Sequence, residues 1–287
     1  MPDTIHLIDA SPYIFRAFFS IPDKIRDPQE RPVNAVYGFS HFLRKLIADE
    51  EPTHLGLAYD ESLDTSFRND FFPEYKAQRE KPPEDLKRQL TACLEMGAAL
   101  GAATYVDSRY EADDLIGTLC HQLVSDGHEV VIVTSDKDLA QLVGPSVTLW
   151  DFAKDTRYGS AEVVEKFGVE PGQIIDLLAL MGDSVDNIPG VAGVGKKTAV
   201  ALLAALGDLD TVYSDLDAVA TLPIRGAKSL ARKLEEQREM AELSKRLATI
   251  ALDAPATADL EALRYDGPRL DLLDPLVERV GFDPLRR

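Results

Sequence analysis

The sequence predicts an α/β fold: a parallel central sheet flanked by helices, followed by a helical C-terminal region. Two observations predict it. Three short apolar runs each end at or near an acid and are separated by helical patterns, and the character of the chain changes after about residue 170. The runs are Thr4-Ile-His-Leu-Ile-Asp9, His54-Leu-Gly-Leu-Ala-Tyr-Asp60 and His128-Glu-Val-Val-Ile-Val-Thr-Ser-Asp136. Short runs of this kind read as buried strands of βα units. Open parallel sheets bind ligands beyond the carboxyl ends of their strands, and each run delivers an Asp there.

Between the runs, Val36, Phe39, Phe42, Leu43, Leu46 and Ile47 have helical spacing, and residues 84–101 and 112–125 are also helical. Residues 66–83 are aromatic, basic and bounded by proline, with no clear core face, and read as a mobile connection leading into a helix. Residues 173–181 form an apolar helix, 199–206 continue a later one, and 225–250 carry seven basic residues on helical sequence. The expected division is 1–170 and 171–287.

Apolar residues make up 45% and charged residues 28% of the chain, a globular balance. No run of about 18 apolar residues is present, and no secretory signal is read at the start, so a cytoplasmic protein without a membrane partner is expected. Cys93 and Cys120 lie in apolar helical patterns and read as buried free thiols. The five histidines are scattered and read as structural. The net charge of −18 is unusual for a chain that binds nucleic acid, although what matters is where the charges lie.

The acids are the unusual feature. Asp9 and Asp60 end strands. Glu111, Asp113 and Asp114 open a helix, Asp136 and Asp138 follow a strand, and Asp183 and Asp186 lie in Gly182-Asp-Ser-Val-Asp-Asn187. Singly, an acid at a helix start is usually a cap, and one after a strand is usually a loop residue. Nine of them at element ends are harder to explain in that way. Crowded carboxylates stay ionised only with counter-charges, and hard divalent ions such as Mg²⁺ or Mn²⁺ take oxygen ligands. Two such ions about 4 Å apart can clamp a phosphodiester.

Gly190-Val-Ala-Gly-Val-Gly-Lys-Lys197 nearly matches a nucleotide-binding P-loop, but Lys197 stands where Ser or Thr is required, and no strand precedes it. A helix–hairpin–helix fits better. Gly193 and Gly195 would allow a tight turn near a phosphate, and the N-terminus of the next helix and Lys196 and Lys197 would favour the anion. Contacts of this kind grip a nucleic-acid backbone without reading sequence.

These motifs, together with Asp9-Ala-Ser-Pro-Tyr-Ile-Phe-Arg16, Val36-Tyr-Gly-Phe39, Ser66-Phe-Arg68, Pro73-Glu-Tyr-Lys-Ala-Gln-Arg79 and Gly193-Val-Gly-Lys-Lys-Thr198, resemble the 5′-nucleases. That family includes the 5′–3′ exonuclease domain of bacterial DNA polymerase I, phage 5′-exonucleases and flap endonucleases. The resemblance covers about residues 4–250 and, because no polymerase segment is present, suggests a stand-alone bacterial member and a monomer. It implies a PIN-like 5′-nuclease fold with a helical arch at about 66–95.

It also implies a first metal among Asp9, Asp60, Glu111, Asp113 and Asp114, and a second among Asp136, Asp138, Asp183 and Asp186. Lys76 and Arg79 would contact the scissile phosphate and act with Asp113 and Asp186 in catalysis, with Tyr75 as a base-stacking residue. Arg16, Arg68 and the turn Gly193, Val194, Gly195, Lys196, Lys197 and Thr198 would bind DNA. A K⁺ ion would sit on the backbone carbonyls of Leu180, Met181, Pro189, Val191 and Val194. Ala10 departs from the glycine many members carry after the first Asp. One bacterial subgroup lacks acids of the second cluster, whereas Asp183 and Asp186 are both present here.

The expected activity is two-metal hydrolysis of DNA at 5′ flaps and 5′ ends, including RNA–DNA primers, in primer removal, replication or repair. Two other readings compete: a DNA-structure-binding module that kept the fold, and a PIN-type ribonuclease.

Overall fold

The computed structural model describes residues 3–61 and 65–286. Six strands form one sheet: β1 (Thr4–Asp9), β2 (His54–Asp60), β3 (Ala103–Asp107), β4 (Glu129–Val133), β5 (Val147–Asp151) and β6 (Thr156–Tyr158), in the order β3-β2-β1-β4-β5-β6. All neighbours pair in parallel except β5 and β6. The sheet is therefore parallel with an antiparallel edge, not uniformly parallel as the sequence suggested.

The helices are α1 (Ser11–Ser20), α2 (Asn34–Glu50), α3 (Glu84–Ala99), α4 (Ala112–Ser125), α5 (Ser160–Phe167), α6 (Ile174–Met181), α7 (Lys196–Leu206), α8 (Leu209–Ser214), α9 (Leu216–Thr221), α10 (Ala227–Glu236), α11 (Arg238–Ala248), α12 (Leu260–Leu263) and α13 (Leu270–Val280). Among the described residues, none is long and apolar enough to cross a membrane.

The period-two geometry of strands explains the layering. Ile5 and Leu7 of β1, with Val130 and Ile132 of β4, face a core built from α4 and the C-terminal helices. Ile8, Val131 and Val133 face the opposite core, under α1, α2, α3 and α13. Strands buried on both faces are apolar throughout, which is why they read as continuous runs. In α2, Val36, Phe39, Leu43 and Leu46 are all fully buried, each worth about 1.5–3 kcal/mol. Gly38 lets α1 approach α2: a Cβ there would meet the Ala17 Cβ at 2.6 Å.

Residues 66–83 are not the coreless connection expected. A 3₁₀ turn at Phe67–Asp70 starts at Ser66, whose backbone N–H donates to Asn69 Oδ1 (2.8 Å), and the Asn69 amide then donates to the Tyr75 carbonyl (2.9 Å). Arg68 and Tyr75 are buried, and helical structure resumes only at α3. The helical stretch at 225–250 is two helices, α10 and α11.

The chain after α11 returns across α4. Thr118 Oγ1 donates to the Ala251 carbonyl (3.3 Å) and accepts from the Ala254 N–H (2.9 Å), and Gln122 pairs with the backbone of Ala256 and Ala258. A backbone segment with few strand or helix partners of its own thereby satisfies its polar groups on one face of α4.

Candidate active site

The sheet register places the acids. Asp9 closes β1 opposite Ala58, two residues before Asp60 closes β2, and Asp136 lies just past β4, which pairs on the other side of β1. Asp9 is buried and accepts from Thr134 Oγ1 (2.9 Å). Asp60 accepts from the Ala112 N–H (2.9 Å) at the start of α4, so the strand end and the helix that carries Glu111 and Asp113 are pinned together. Asp138 donates its backbone N–H to Asp136 Oδ1 (2.9 Å).

Neighbouring acids act on Asp9, Asp113 and Asp138 in addition to burial. Burial pushes the Asp9 carboxyl well above its ordinary value, with further upward pressure from Asp60 and Asp136. Asp113 is raised by burial and then by Asp136, Asp9 and Asp60, against the nearby Lys76 ammonium. Asp138 is pushed up to about 7 by burial and Asp136.

The loop that carries the last two acids is joined to residues 74–79. The Lys76 N–H donates to the Asp186 carbonyl (3.1 Å), Asn187 Nδ2 donates to the Glu74 carbonyl (2.6 Å), and Gln78 Nε2 reaches the carbonyls of Ser184 and Val185 (2.9 Å each). The side chains follow. Lys76 Nζ donates to Glu111 Oε1 (2.8 Å) and lies 3.6 Å from Asp186 Oδ2; Arg79 donates to Asp186 Oδ1 (2.5 Å). Lys137 pairs with Asp183. Burial opposes the Lys76 ammonium, but Glu111, Tyr75 and Asp186 together hold its pKa above the usual range.

The donor set suits a hard divalent ion. It consists of carboxylate oxygens, and Asp138 Oδ1 is buried without a hydrogen-bond partner among the described residues. It is not a ready-made cage: among the described residues, no three such side chains stand so as to hold one ion in common. Basic side chains hold Glu111, Asp183 and Asp186 instead.

Several expected roles change. Asp114 was expected among the metal ligands. It is fully buried, and its two oxygens accept from Arg68 Nη1 and Nη2 (2.8 Å each) and from the N–H groups of Glu111 (3.2 Å) and Ala251 (2.9 Å). It acts as the helix-start acid of the ordinary kind, reaching back to the backbone before it. Arg68, expected on DNA, is buried and also donates to the carbonyls of Leu247 (2.9 Å) and Thr249 (2.8 Å).

Tyr75, expected to stack on a base, is buried, and its hydroxyl donates towards Glu111 Oε2 (3.1 Å) and Asp186 Oδ2 (3.3 Å). Arg16 is exposed on α1. Thr134, Lys137, Gln78 and Asn187 were missed as supports of the site, although Lys137 stands between two of the acids in sequence and was the findable one.

At the second motif, Gly193 adopts φ +82°, the left-handed region glycine favours. Gly195 is extended and opens α7, and a Cβ there would meet nothing within 4 Å, so only Gly193 needs glycine for the turn itself. Gly190 (φ +64°) packs backbone to backbone on Gly182: a Cβ would lie 2.3 Å from the Gly182 nitrogen. Of the five carbonyls expected around K⁺, those of Leu180 and Val191 already accept from the N–H groups of Val191 and Val194 (2.9 Å each).

Residues 4–168 match the family model of the 5′–3′ exonuclease N-terminal resolvase-like domain, and residues 169–271 that of the 5′–3′ exonuclease C-terminal SAM fold. DNA polymerase I of Bacillus caldotenax is 41% identical over 98% of this chain, and that of Bacillus subtilis 40% identical over 97%. The chain spans about a third of the length of these relatives (32% and 31%).

Among solved structures, a bacteriophage T5 flap endonuclease in a pseudo-enzyme–product complex with DNA and metal ions aligns with a TM-score of 0.67 at 21% identity, covering 97% of each chain. These matches correct the PIN-like assignment: the fold is a resolvase-like N-terminal domain joined to a SAM fold. The strand pattern itself indicated only a parallel α/β sheet, and the PIN-like label came with the family resemblance, which a shared parallel-sheet layout does not settle.

Proposed function

The chain belongs to the 5′–3′ exonuclease family, and from that premise we propose that it is a structure-specific 5′-nuclease, a 5′–3′ exonuclease and flap endonuclease that hydrolyses phosphodiester bonds in DNA. The observation that carries the reading is the meeting of Asp9, Asp60, Asp113 and Asp136 at one sheet edge, where Asp9 and Asp113 are raised by burial and by the neighbouring carboxylates. A buried cluster of like charge is costly and is retained where a cation or a reaction uses it.

Asp9, Asp60, Glu111 and Asp113 would hold one divalent ion, and Asp136, Asp138, Asp183 and Asp186 a second. Mg²⁺ or Mn²⁺ bound there supplies an activated water and charge neutralisation at the phosphate. Asp114, with its oxygens engaged by Arg68, supports the first group from behind. Lys76 and Arg79 stand at the mouth of the cluster, and on substrate binding they exchange their carboxylate partners for the non-bridging oxygens of the scissile phosphate. Tyr75 fixes the turn that carries them.

Residues 1–170 supply the acids of the sheet edge, and 171–287 supply Asp183, Asp186 and the helix–hairpin–helix. Gly193, Val194, Gly195, Lys196, Lys197 and Thr198 grip duplex phosphates, with K⁺ held by carbonyls of the same turn. The substrates are DNA with 5′ flaps or 5′ ends and RNA–DNA primers, cut by a monomer in a bacterial cytoplasm during primer removal or repair.

The test is cleavage of a 5′-labelled flap duplex with Mg²⁺, with Mn²⁺ and with EDTA. Metal-dependent cutting at the flap junction, lost in Asp186→Asn and Asp113→Asn without comparable loss of binding, is the expected result. Tight flap binding with no cutting under either metal would instead identify a DNA-structure-binding module, and cutting of plain single-stranded RNA alone a ribonuclease.

A further inference from the structure

In a chain of net charge −18, uncompensated basic side chains are informative. Most of the basic residues on α10 and α11 are spoken for. Arg232 pairs with Glu236, Arg238 donates to the Tyr213 carbonyl, Lys245 pairs with Asp176 and Asp210, and Arg246 covers the Phe71 ring. Lys228 is exposed and unpaired among the described residues, but what sets one lysine apart is the place of Lys233. It is exposed, and its Nζ lies against the glycine turn, 2.8 Å from where a Gly193 Cβ would stand.

On the other side of the turn, Lys166 is exposed at the end of α5. Its ammonium lies 4.1 Å from the centroid of the Tyr158 ring, and its carbonyl accepts from Lys196 Nζ (3.0 Å). Among the described residues, Lys166, Lys196, Lys197 and Lys233 form no ion pair within 4.0 Å. Ammonium groups from α5, α7 and α10 therefore surround one turn without carboxylate partners.

The turn is also tied to its neighbours. The Ala192 N–H donates to Gln237 Oε1 (2.8 Å) and the Gly190 N–H to Ser244 Oγ (2.9 Å), so α11 and the residue that joins it to α10 hold the turn from behind. The Tyr158 ring restrains the Lys166 ammonium, which lowers the entropy lost when that ammonium takes a partner. A polyanion with regularly spaced charges is the partner this arrangement fits.

We propose that Lys166 and Lys233 are backbone-phosphate contacts that extend the grip of the glycine turn along one strand of duplex DNA. The inference rests on the nuclease reading above, and it names two positions outside the turn. It also accounts for DNA binding by an acidic chain: the overall charge is negative, but the duplex meets a local cluster of lysines left unpaired.

Counter-ion release gives the test. Each phosphate neutralised contributes about 0.9 to the slope of log affinity against log salt on duplex DNA. Binding of a 5′-flap duplex to the full chain is measured by fluorescence anisotropy across potassium chloride concentrations, with Ca²⁺ as the divalent ion. Lys166→Gln and Lys233→Gln are expected to lower the slope by about 0.9 each, and the double variant by about 1.8.

Lys166→Arg and Lys233→Arg should restore the slope, which a purely structural role would not require. Lys154→Gln, which removes a lysine paired with Asp151, should leave it unchanged. Unaltered slopes in both Gln variants, with the wild type binding and cutting flaps, would overturn this inference alone. A wild type that neither binds nor cuts flap DNA would overturn the nuclease reading and this inference with it.

Discussion

Lys76 and Glu111 form an ion pair over 2.8 Å that joins residues 74–79 to the start of α4, and Lys76 holds it from a left-handed backbone conformation, φ +56°. The pair occupies a carboxylate that the metal reading assigns to an ion, so the basic turn and the cation compete for Glu111. Lys76→Met is expected to lower flap cleavage by about 10–100-fold, equivalent to about 1.4–2.7 kcal/mol at the transition state. Single-turnover kinetics at saturating DNA would show it. A variant that cuts at the wild-type rate places Lys76 outside the chemistry.

Arg68 and Asp114 give a contrasting expectation. Their pair is buried, and Arg68 makes four hydrogen bonds, two of them to Asp114. Removing one partner leaves a buried charge alone, which costs about 3–5 kcal/mol. Urea denaturation of Asp114→Asn and Arg68→Met should show losses of that order, and Arg68→Met combined with Asp114→Leu should recover much of it. If Asp114→Asn instead keeps full stability and loses only metal affinity, Asp114 is a ligand after all.

Acid crowding sets the pH dependence of the metal-free protein. Asp9 and Asp113 are held well above their ordinary values and Asp138 near 7, in each case first by burial. Raised carboxyl values mean that the folded state takes up protons the unfolded chain does not. The contribution to stability is therefore greatest below about pH 4 and is lost as the pH rises through about 7. In EDTA, this cluster should make the melting temperature higher near pH 5.5 than near pH 8, and saturating Mg²⁺ should close the gap. An unchanged gap with Mg²⁺ would show that the ion does not reach these groups.

The glycines of the second motif divide by backbone geometry. Gly190→Ala forces a Cβ into the backbone of Gly182 from a left-handed conformation and should cost more than about 2 kcal/mol, with loss of DNA binding. Gly195→Ala meets nothing and keeps an allowed conformation, so its stability in urea denaturation should be unchanged within about 0.5 kcal/mol. Any loss of DNA affinity in Gly195→Ala would then come from the phosphate's approach and not from folding.

The strands that carry Asp9 and Asp60 were legible because strands buried on both faces leave unbroken apolar runs bounded by acids. β3, with its half-exposed residues, and the short edge strand β6 leave no such run and were not read; nor was β5, a buried strand whose apolar run is interrupted by Thr148. All nine acids were visible as residue types, but Asp114 was not separable from Glu111 and Asp113. What distinguishes it is a partner 46 positions earlier, Arg68, and backbone groups that follow α11. Pairings of that range leave no local pattern. The same holds for Tyr75, whose aromatic and basic neighbours suggested a surface role that its burial rules out in this conformation.

The return of the chain over α4 also sets an order in time. The Leu247 carbonyl that receives Arg68 is made 179 residues after it, and the Ala251 N–H that reaches Asp114 is made 137 residues after that acid. At bacterial synthesis rates of about 5–20 residues per second, the delays are roughly 7–36 seconds. Until then Arg68 and Asp114 lack these backbone partners, and Thr118 and Gln122 lack theirs. The sheet edge that carries the acids thus gains these supports only after Asp183 and Asp186 have been made, and a chain stopped before Leu247 lacks them.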